Sequence, residues 1–149
     1  MNNAAPVYNS HFAVYALVLN AAKDSALLIK KSLGCYTGLY DLPGGSMEPH
    51  ELLEETLCRE VQEETDCTVI SFSQLRTLST LYPFKKDGAD KILRHIGAIY
   101  LADITGTPRA HSTGLDDSAG CVWVPFKDIT LKNSAPFVVD AVKAYAEKT

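Results

Sequence analysis

Apolar positions fall into short runs with two different periods. Residues 12–19, FAVYALVL, are continuously apolar and partly β-branched or aromatic, which suits a strand covered on both faces. After the turn-like NAAKDS, residues 26–31, ALLIKK, form a second such run, and the two are expected to pair as neighbours. Residues 67–81 and 92–104 also have strand composition, with the polar stretch FKKDGAD between them, so a hairpin or a long-looped strand pair is expected there. Two segments read as helices. Residues 49–65 contain helix formers without glycine or an interior proline. Near the C-terminus, Asn133 or Ser134 offers a cap, Pro136 suits a first turn, and Phe137, Val138, Ala141, Val142 and Tyr145 recur at helical spacing. No repeat or Pro/Gly/Ser linker divides the chain, so residues 1–149 are expected to form a single domain. Its fold class is α/β, a sandwich of a mixed sheet with a helix on each face.

Composition changes this picture little: 149 residues, 46% hydrophobic and 21% charged, describe an ordinary soluble globular protein. Cys35, Cys58, Cys67 and Cys121 form no CxxC pair, and His11, His50, His95 and His111 are scattered, so buried reduced thiols are expected rather than a zinc site. The apolar run 12–19 is too short for a membrane span, and MNNAAPVYNSH before it has no lysine or arginine of a signal peptide. A cytoplasmic location without membrane contact is the expectation. A net charge of −4 argues against nucleic acid as a partner.

The average conceals a strong asymmetry. Residues 48–66 carry eight acids, Glu48, Glu51, Glu54, Glu55, Glu60, Glu63, Glu64 and Asp66, against one base, Arg59, for a local charge of −7. With Leu53 at the origin of a helical wheel, Leu57 falls at about 40° and Val61 at about 80°, an inward stripe. On the same wheel Glu60 falls at about −20°, Glu64 at about 20° and Glu63 at about −80°. Two glutamates thus share the apolar face, where an unpaired carboxylate must be desolvated or protonated. Several carboxylates at i, i+3 and i+4 make a hard-oxygen site suited to magnesium or manganese. Upstream, Leu42-Pro43-Gly44-Gly45 supplies paired glycines that allow a backbone to approach a ligand closely.

Gly45, five residues, Glu51, seven residues, then Arg59-Glu60-Val61-Gln62-Glu63-Glu64 resembles the Nudix box, GX5EX7REUXEEXGU with U aliphatic. The resemblance covers residues 45–67 and is to the MutT-like form of the Nudix hydrolase family. Two positions depart from it. Asp66 stands where the pattern has glycine and Cys67 where it has an aliphatic residue, and both suit the expected helix end, since aspartate tolerates a left-handed cap and cysteine is a small hydrophobe.

The resemblance implies a Nudix fold with a loop-helix-loop catalytic motif, and magnesium-dependent hydrolysis of a nucleoside diphosphate linked to another moiety, with manganese as an alternative cofactor. It implies that Glu60 and Glu64 are the principal metal ligands, with the backbone carbonyl of Gly44, that Glu63 is a further ligand or a water-activating group, and that Gly44 and Gly45 lie against substrate. Glu51, Arg59 and Glu63 form the implied catalytic set. Arg59 orients the glutamates by pairing with Glu63 one turn on, and Glu51 joins the metal network directly or through water. Glu63 is the first choice of general base, with Asp116 or Asp117 on the later loop HSTGLDDSAG as the second. Tyr36, Tyr40, Tyr82 and Phe84 are candidates for stacking on a base, and Lys85, Lys86, Lys91 and Arg94 for pairing with phosphate; Trp123 is expected in the core. The partner implied is a small nucleotide, and homodimers are common in the family.

Overall fold

A computed structural model describes residues 5–110 and 120–149. In chain order the elements are β1 (Val7–Leu17), β2 (Ser25–Lys30), β3 (Tyr40–Asp41), β4 (Gly44–Gly45), α1 (Leu53–Thr65), β5 (Thr68–Lys86), β6 (Ala89–Thr105), β7 (Cys121–Pro125), a 3-10 turn (Phe126–Asp128) and α2 (Pro136–Lys148). They make two sheets: a mixed four-stranded one in the order β4-β1-β6-β5, and an antiparallel three-stranded one in the order β3-β2-β7. β1 runs parallel to β6 and antiparallel to β4.

The expected pairing of the first two apolar runs is therefore corrected. Both edges of β1 are taken by β6 and β4, so β1 and β2 lie in different sheets, and the two runs pair only at their adjoining ends, through the antiparallel bridge between Leu19 and Ala26 and the Leu27 amide donating to the Val18 carbonyl at 2.9 Å. The hairpin is present and longer than its apolar runs suggest, because most of FKKDGAD is strand and the chain reverses at Asp87-Gly88. Their φ values of 53° and 77° fit a two-residue turn with both central residues left-handed.

Side chains alternate across β1 and β6, and each face of the mixed sheet has its own cover. Val14, Ala16, Val18, Ala98, Tyr100 and Ala102 pack with Leu57 and Val61 of α1. Tyr15, Leu17 and Ile99 face Leu28 of the second sheet and Phe137, Val138, Ala141 and Ala144 of α2. This is the α/β/α sandwich with a mixed sheet.

Four expectations about local structure are corrected. α1 begins at Leu53, four residues later than expected, because Glu48–Glu51 form a turn closed by the Glu51 amide donating to the Glu48 carbonyl at 3.0 Å. The N-cap of α2 is Ala135, with no side-chain cap bond, since the Asn133 side chain is engaged with the Thr130 amide and the Ser134 hydroxyl. Trp123 is 39% exposed, because β7 is the outer strand of its sheet. Of the cysteines, all free, Cys67 and Cys121 are buried but Cys35 is half-buried and Cys58 exposed. No described helix is long and apolar enough to cross a membrane.

Candidate active site

Pairing to β1 fixes the Leu-Pro-Gly-Gly segment. Gly45 and Gly44 lie opposite Val14 and Tyr15, and the Ala16 amide donates to the Pro43 carbonyl at 2.8 Å. A Cβ on Gly44, whose φ is 151°, would collide with the Val14 carbonyl and the Tyr15 backbone, so the close approach requires glycine. A Cβ on Gly45 would come within 2.7 Å of the Glu60 carboxylate. The bare backbone of the second glycine is what lets Glu60 lie there.

α1 then presents its glutamates to this backbone as the wheel predicts. Glu64 accepts from the Gly44 amide at 3.1 Å. Burial pushes its carboxyl up to about 8; the Gly44 bond and Lys31 oppose this, while Glu60 and Asp41 reinforce it. Glu60, with a side chain 14% exposed, is also raised by burial against the opposing pull of Arg59. The Glu63 side chain is 57% exposed. The structure thus brings Gly44, Gly45, Glu60 and Glu64 together and turns Glu63 outward. Among the described residues no group of three His, Cys, Asp or Glu side chains is gathered at ligand spacing.

Arg59 has more partners than helical spacing suggested. It reaches Glu63 at 3.2 Å and Glu60 at 3.0 Å, but its shorter bonds go to Glu51, from Nε at 2.6 Å and from Nη2 at 2.9 Å, and it also donates to the Ser46 carbonyl at 2.9 Å. Glu51, with a side chain 6% exposed, additionally accepts from the Glu48 amide and the Thr56 hydroxyl. Arg59 beside it is the main reason its carboxyl is held down to about 2. Arg59 therefore ties the turn before α1 to the glutamates at its centre.

Sequence reasoning missed a second set of polar groups next to these. His95 on β6 is 2% exposed and sits between two hydroxyls, Tyr15 at 2.9 Å from Nε2 and Tyr36 at 2.9 Å from Nδ1. Burial, and then His11 and Lys31, lower it to about 4, so at neutral pH the ring is uncharged and has one donor and one acceptor nitrogen. Asp41, 1% exposed in β3, accepts from the Leu42 amide with one oxygen, while its other has no hydrogen bond among the described residues; burial raises it to about 6. Lys31 contributes to the electrostatics of Asp41, Glu60, Glu64, His11 and His95 alike. A signal existed: His95 alternates with Leu93, Gly97 and Ile99 on one face of an apolar strand, and Asp41 interrupts a short buried strand directly before Leu-Pro-Gly-Gly.

The substrate candidates separate. Tyr36 and Tyr82 stack edge to face at 4.7 Å beside His95, and Tyr40 lies under the Lys30 ammonium at 5.2 Å. Phe84, Lys85 and Lys91 line a hollow of about 410 Å³ at the hairpin, where Lys85 pairs with Asp90 at 3.4 Å. Lys86 is exposed beside them, and Arg94 lines a different hollow with Tyr8 and Leu81. Asp116 and Asp117 lie outside the described residues.

A family model described as NUDIX domain matches residues 9–145. The putative 8-oxo-dGTP diphosphatase YtkD of Bacillus subtilis (strain 168) is 40% identical over 65 residues, 44% of this chain. The match spans only 36% of that relative's length. A MutT NUDIX hydrolase from Burkholderia pseudomallei superposes with a TM-score of 0.71 at 19% identity, covering 91% of this chain and 98% of that one. The NUDIX domain of Shewanella oneidensis NrtR, solved with ADP ribose, gives 0.60 at 20% identity, covering 97% and 89%. These structural likenesses bear on the fold.

Proposed function

The chain belongs to the NUDIX family, and on that premise we propose that it is a metal-dependent hydrolase of a nucleoside diphosphate linked to another group, with water attacking a phosphorus of the diphosphate. The observation that carries this reading is Glu64, a half-buried carboxylate on the apolar face of α1, hydrogen-bonded to Gly44 and raised by desolvation among further acids. Such a group is stable in its charged form only beside a cation, and the donors around it are hard oxygens that fit Mg²⁺ or Mn²⁺. Glu60, Glu64 and the Gly44 carbonyl would hold the ion, with Glu63 turned outward from them. When bound, it supplies Lewis acidity toward the phosphates and lowers the pKa of a coordinated water.

The remaining chemistry falls to the chain. Glu63 is the general base of first choice: its side chain is exposed enough to meet a water, and Arg59 holds it from one turn away. It takes the proton as the water oxygen bonds to phosphorus and the bridging oxygen leaves with the other phosphate. Arg59 and Glu51 act by positioning, since their bonds lock the helix start to the glutamate face. Gly44 seats this backbone on β1 and Gly45 leaves room for the Glu60 carboxylate, and the diphosphate would lie against the two glycines beside that carboxylate. Lys31 is the cation assigned to a phosphate charge, and half-buried Tyr82 is the ring assigned to the base.

We rank 8-oxo-dGTP first among candidate substrates, in support of which stands the activity named for the Bacillus relative, and dGTP, ADP-ribose, dinucleoside polyphosphates and nucleotide sugars after it. Purified protein assayed on this panel with Mg²⁺, with Mn²⁺ and with chelator tests the proposal. Metal-dependent release of a nucleoside monophosphate from at least one compound is expected, and no turnover on any of them overturns it.

A further inference from the structure

The glutamates of the site occupy the last two turns of α1, and the end of that helix is held from outside the box. A helix leaves its last four carbonyls without partners of its own. In α1 the Gln62 carbonyl accepts from the Asp66 amide at 3.0 Å. The Glu63 carbonyl accepts from Arg109 Nη2 at 2.6 Å, and the Thr65 carbonyl from the Arg109 amide at 2.9 Å. One residue from the connection after β6 thus satisfies two of these carbonyls. Arg109 is itself anchored, because its carbonyl accepts from the Cys121 amide at 2.8 Å and from the Cys121 thiol at 3.2 Å.

Asp66 gives this contact a second purpose. It closes α1 in the left-handed conformation, with φ 63°, at the position where the family pattern has glycine. Glycine would bring no charge. Aspartate adds a carboxylate at the negative end of the helix dipole, beside Glu63 and Glu64, and the last turn of α1 contains no basic residue. The guanidinium of Arg109 answers it: Nε lies 3.7 Å from the Asp66 carboxylate, an ion pair rather than a hydrogen bond.

We infer that Arg109 is a positioning residue for the metal-binding glutamates. By capping the Glu63 carbonyl and offsetting the charge of Asp66, it holds the last turn of α1 where Glu64 meets the Gly44 backbone. Asp66 and Arg109 are a compensating pair that stands in for the glycine of the pattern. The assignment rests on the proposed metal site.

The test is Mn²⁺ binding by electron paramagnetic resonance on substrate-free protein, with amide hydrogen exchange over α1, for wild type, R109Q, D66G and the double variant. R109Q is expected to weaken Mn²⁺ binding about ten-fold, as loss of a group supporting metal ligands does. It should also speed exchange in the last turn of α1 and lower kcat at limiting metal, with KM for nucleotide unchanged within about two-fold. On the D66G background the same substitution is expected to cost only about three-fold, because the charge it leaves unanswered is gone. The double variant also serves if R109Q alone folds poorly. Wild-type Mn²⁺ affinity and exchange in R109Q would overturn the inference, and equal costs on both backgrounds would overturn the pairing with Asp66. If wild type itself binds no Mn²⁺, the proposed function falls and this inference with it; if wild type binds and R109Q binds equally, only this inference falls.

Discussion

Replacing Glu64 with Gln is expected to stabilise the metal-free protein at alkaline pH and to abolish most of its stabilisation by magnesium. Glu64 has a folded-state pKa of about 8 against an ordinary 4.5, chiefly through burial. A raised folded value means the native state holds the proton more tightly, so this contribution is fully present below the unfolded value and is lost as pH climbs through about 8. Other groups act in the acidic part of that range. Asp41, raised to about 6, has the same sign, whereas His95, lowered to about 4, binds its proton better when unfolded and so adds stability as pH rises to 6.5. Glu51, held down to about 2, adds stability present above its ordinary value and lost only as pH falls through about 2. The clean window is therefore pH 6.5 to 8.5.

Across that window one proton leaves the folded state, and at about 1.36 kcal/mol per pH unit the loss is about 2 kcal/mol. For a chain of 149 residues this corresponds to a fall in Tm of roughly 4–8 °C. The assay is thermal melting of wild type and E64Q in chelator and in excess Mg²⁺ at several pH values across the window. Wild type in chelator should lose stability as pH rises and E64Q should not. Mg²⁺ at about a hundred times its dissociation constant should return about 2.7 kcal/mol to wild type. A wild-type Tm that rises over this window in chelator, or an equal magnesium effect in both proteins, would refute the reasoning.

Four further outcomes follow from the same geometry. E60Q and E64Q should each lower kcat at least about 10²-fold in steady-state assays, because each removes part of the charge clamp on the phosphates. E63Q should cost more kcat than D116N or D117N, and the reverse order would move the general base to the later loop. R59K keeps the charge but loses the fork that spans Glu51 and the Ser46 carbonyl, so kcat should fall about ten-fold with KM little changed. H95F leaves the Tyr15 and Tyr36 hydroxyls without their ring partner, and denaturant unfolding should show a loss of about 2–4 kcal/mol while metal dependence is retained.

How far these features were legible depends on whether the information was local. Residues 53–65 repeat with a helical period, so the inward stripe of Leu57 and Val61, the inward turn of Glu60 and Glu64 and the outward turn of Glu63 could all be read from spacing. The order of strands could not. β1 pairs along its whole length with β6, whose residues lie about 84 positions later, and nothing in either run states that preference. Sequence neighbours usually become spatial neighbours, which is why β2 was the natural partner for β1. The hairpin was underestimated for a related reason: its outer part is solvated, so polar residues such as Lys85 and Asp90 serve there as strand residues without the alternation that marks a half-buried sheet.

The partner of Arg59 shows where a helical wheel ceases to inform. Glu63 is its i+4 neighbour and was the expected partner, yet Glu51, outside the helix, makes the shorter bonds. Only the turn that closes Glu48–Glu51 brings that carboxylate back over the helix start. His95 and Asp41 were hidden in another way, because each is a buried polar residue among apolar neighbours and acquires meaning only when separate strands assemble. Their assembly also bears on the metal. Glu60, Glu64 and Asp41 are all raised by burial; Lys31 opposes the rise at each, and Arg59 opposes it more strongly at Glu60. Arg59 is shared with Glu51 and Glu63, so two cations face five carboxylates and, with all five ionised, the group keeps three negative charges. A divalent cation answers most of that surplus.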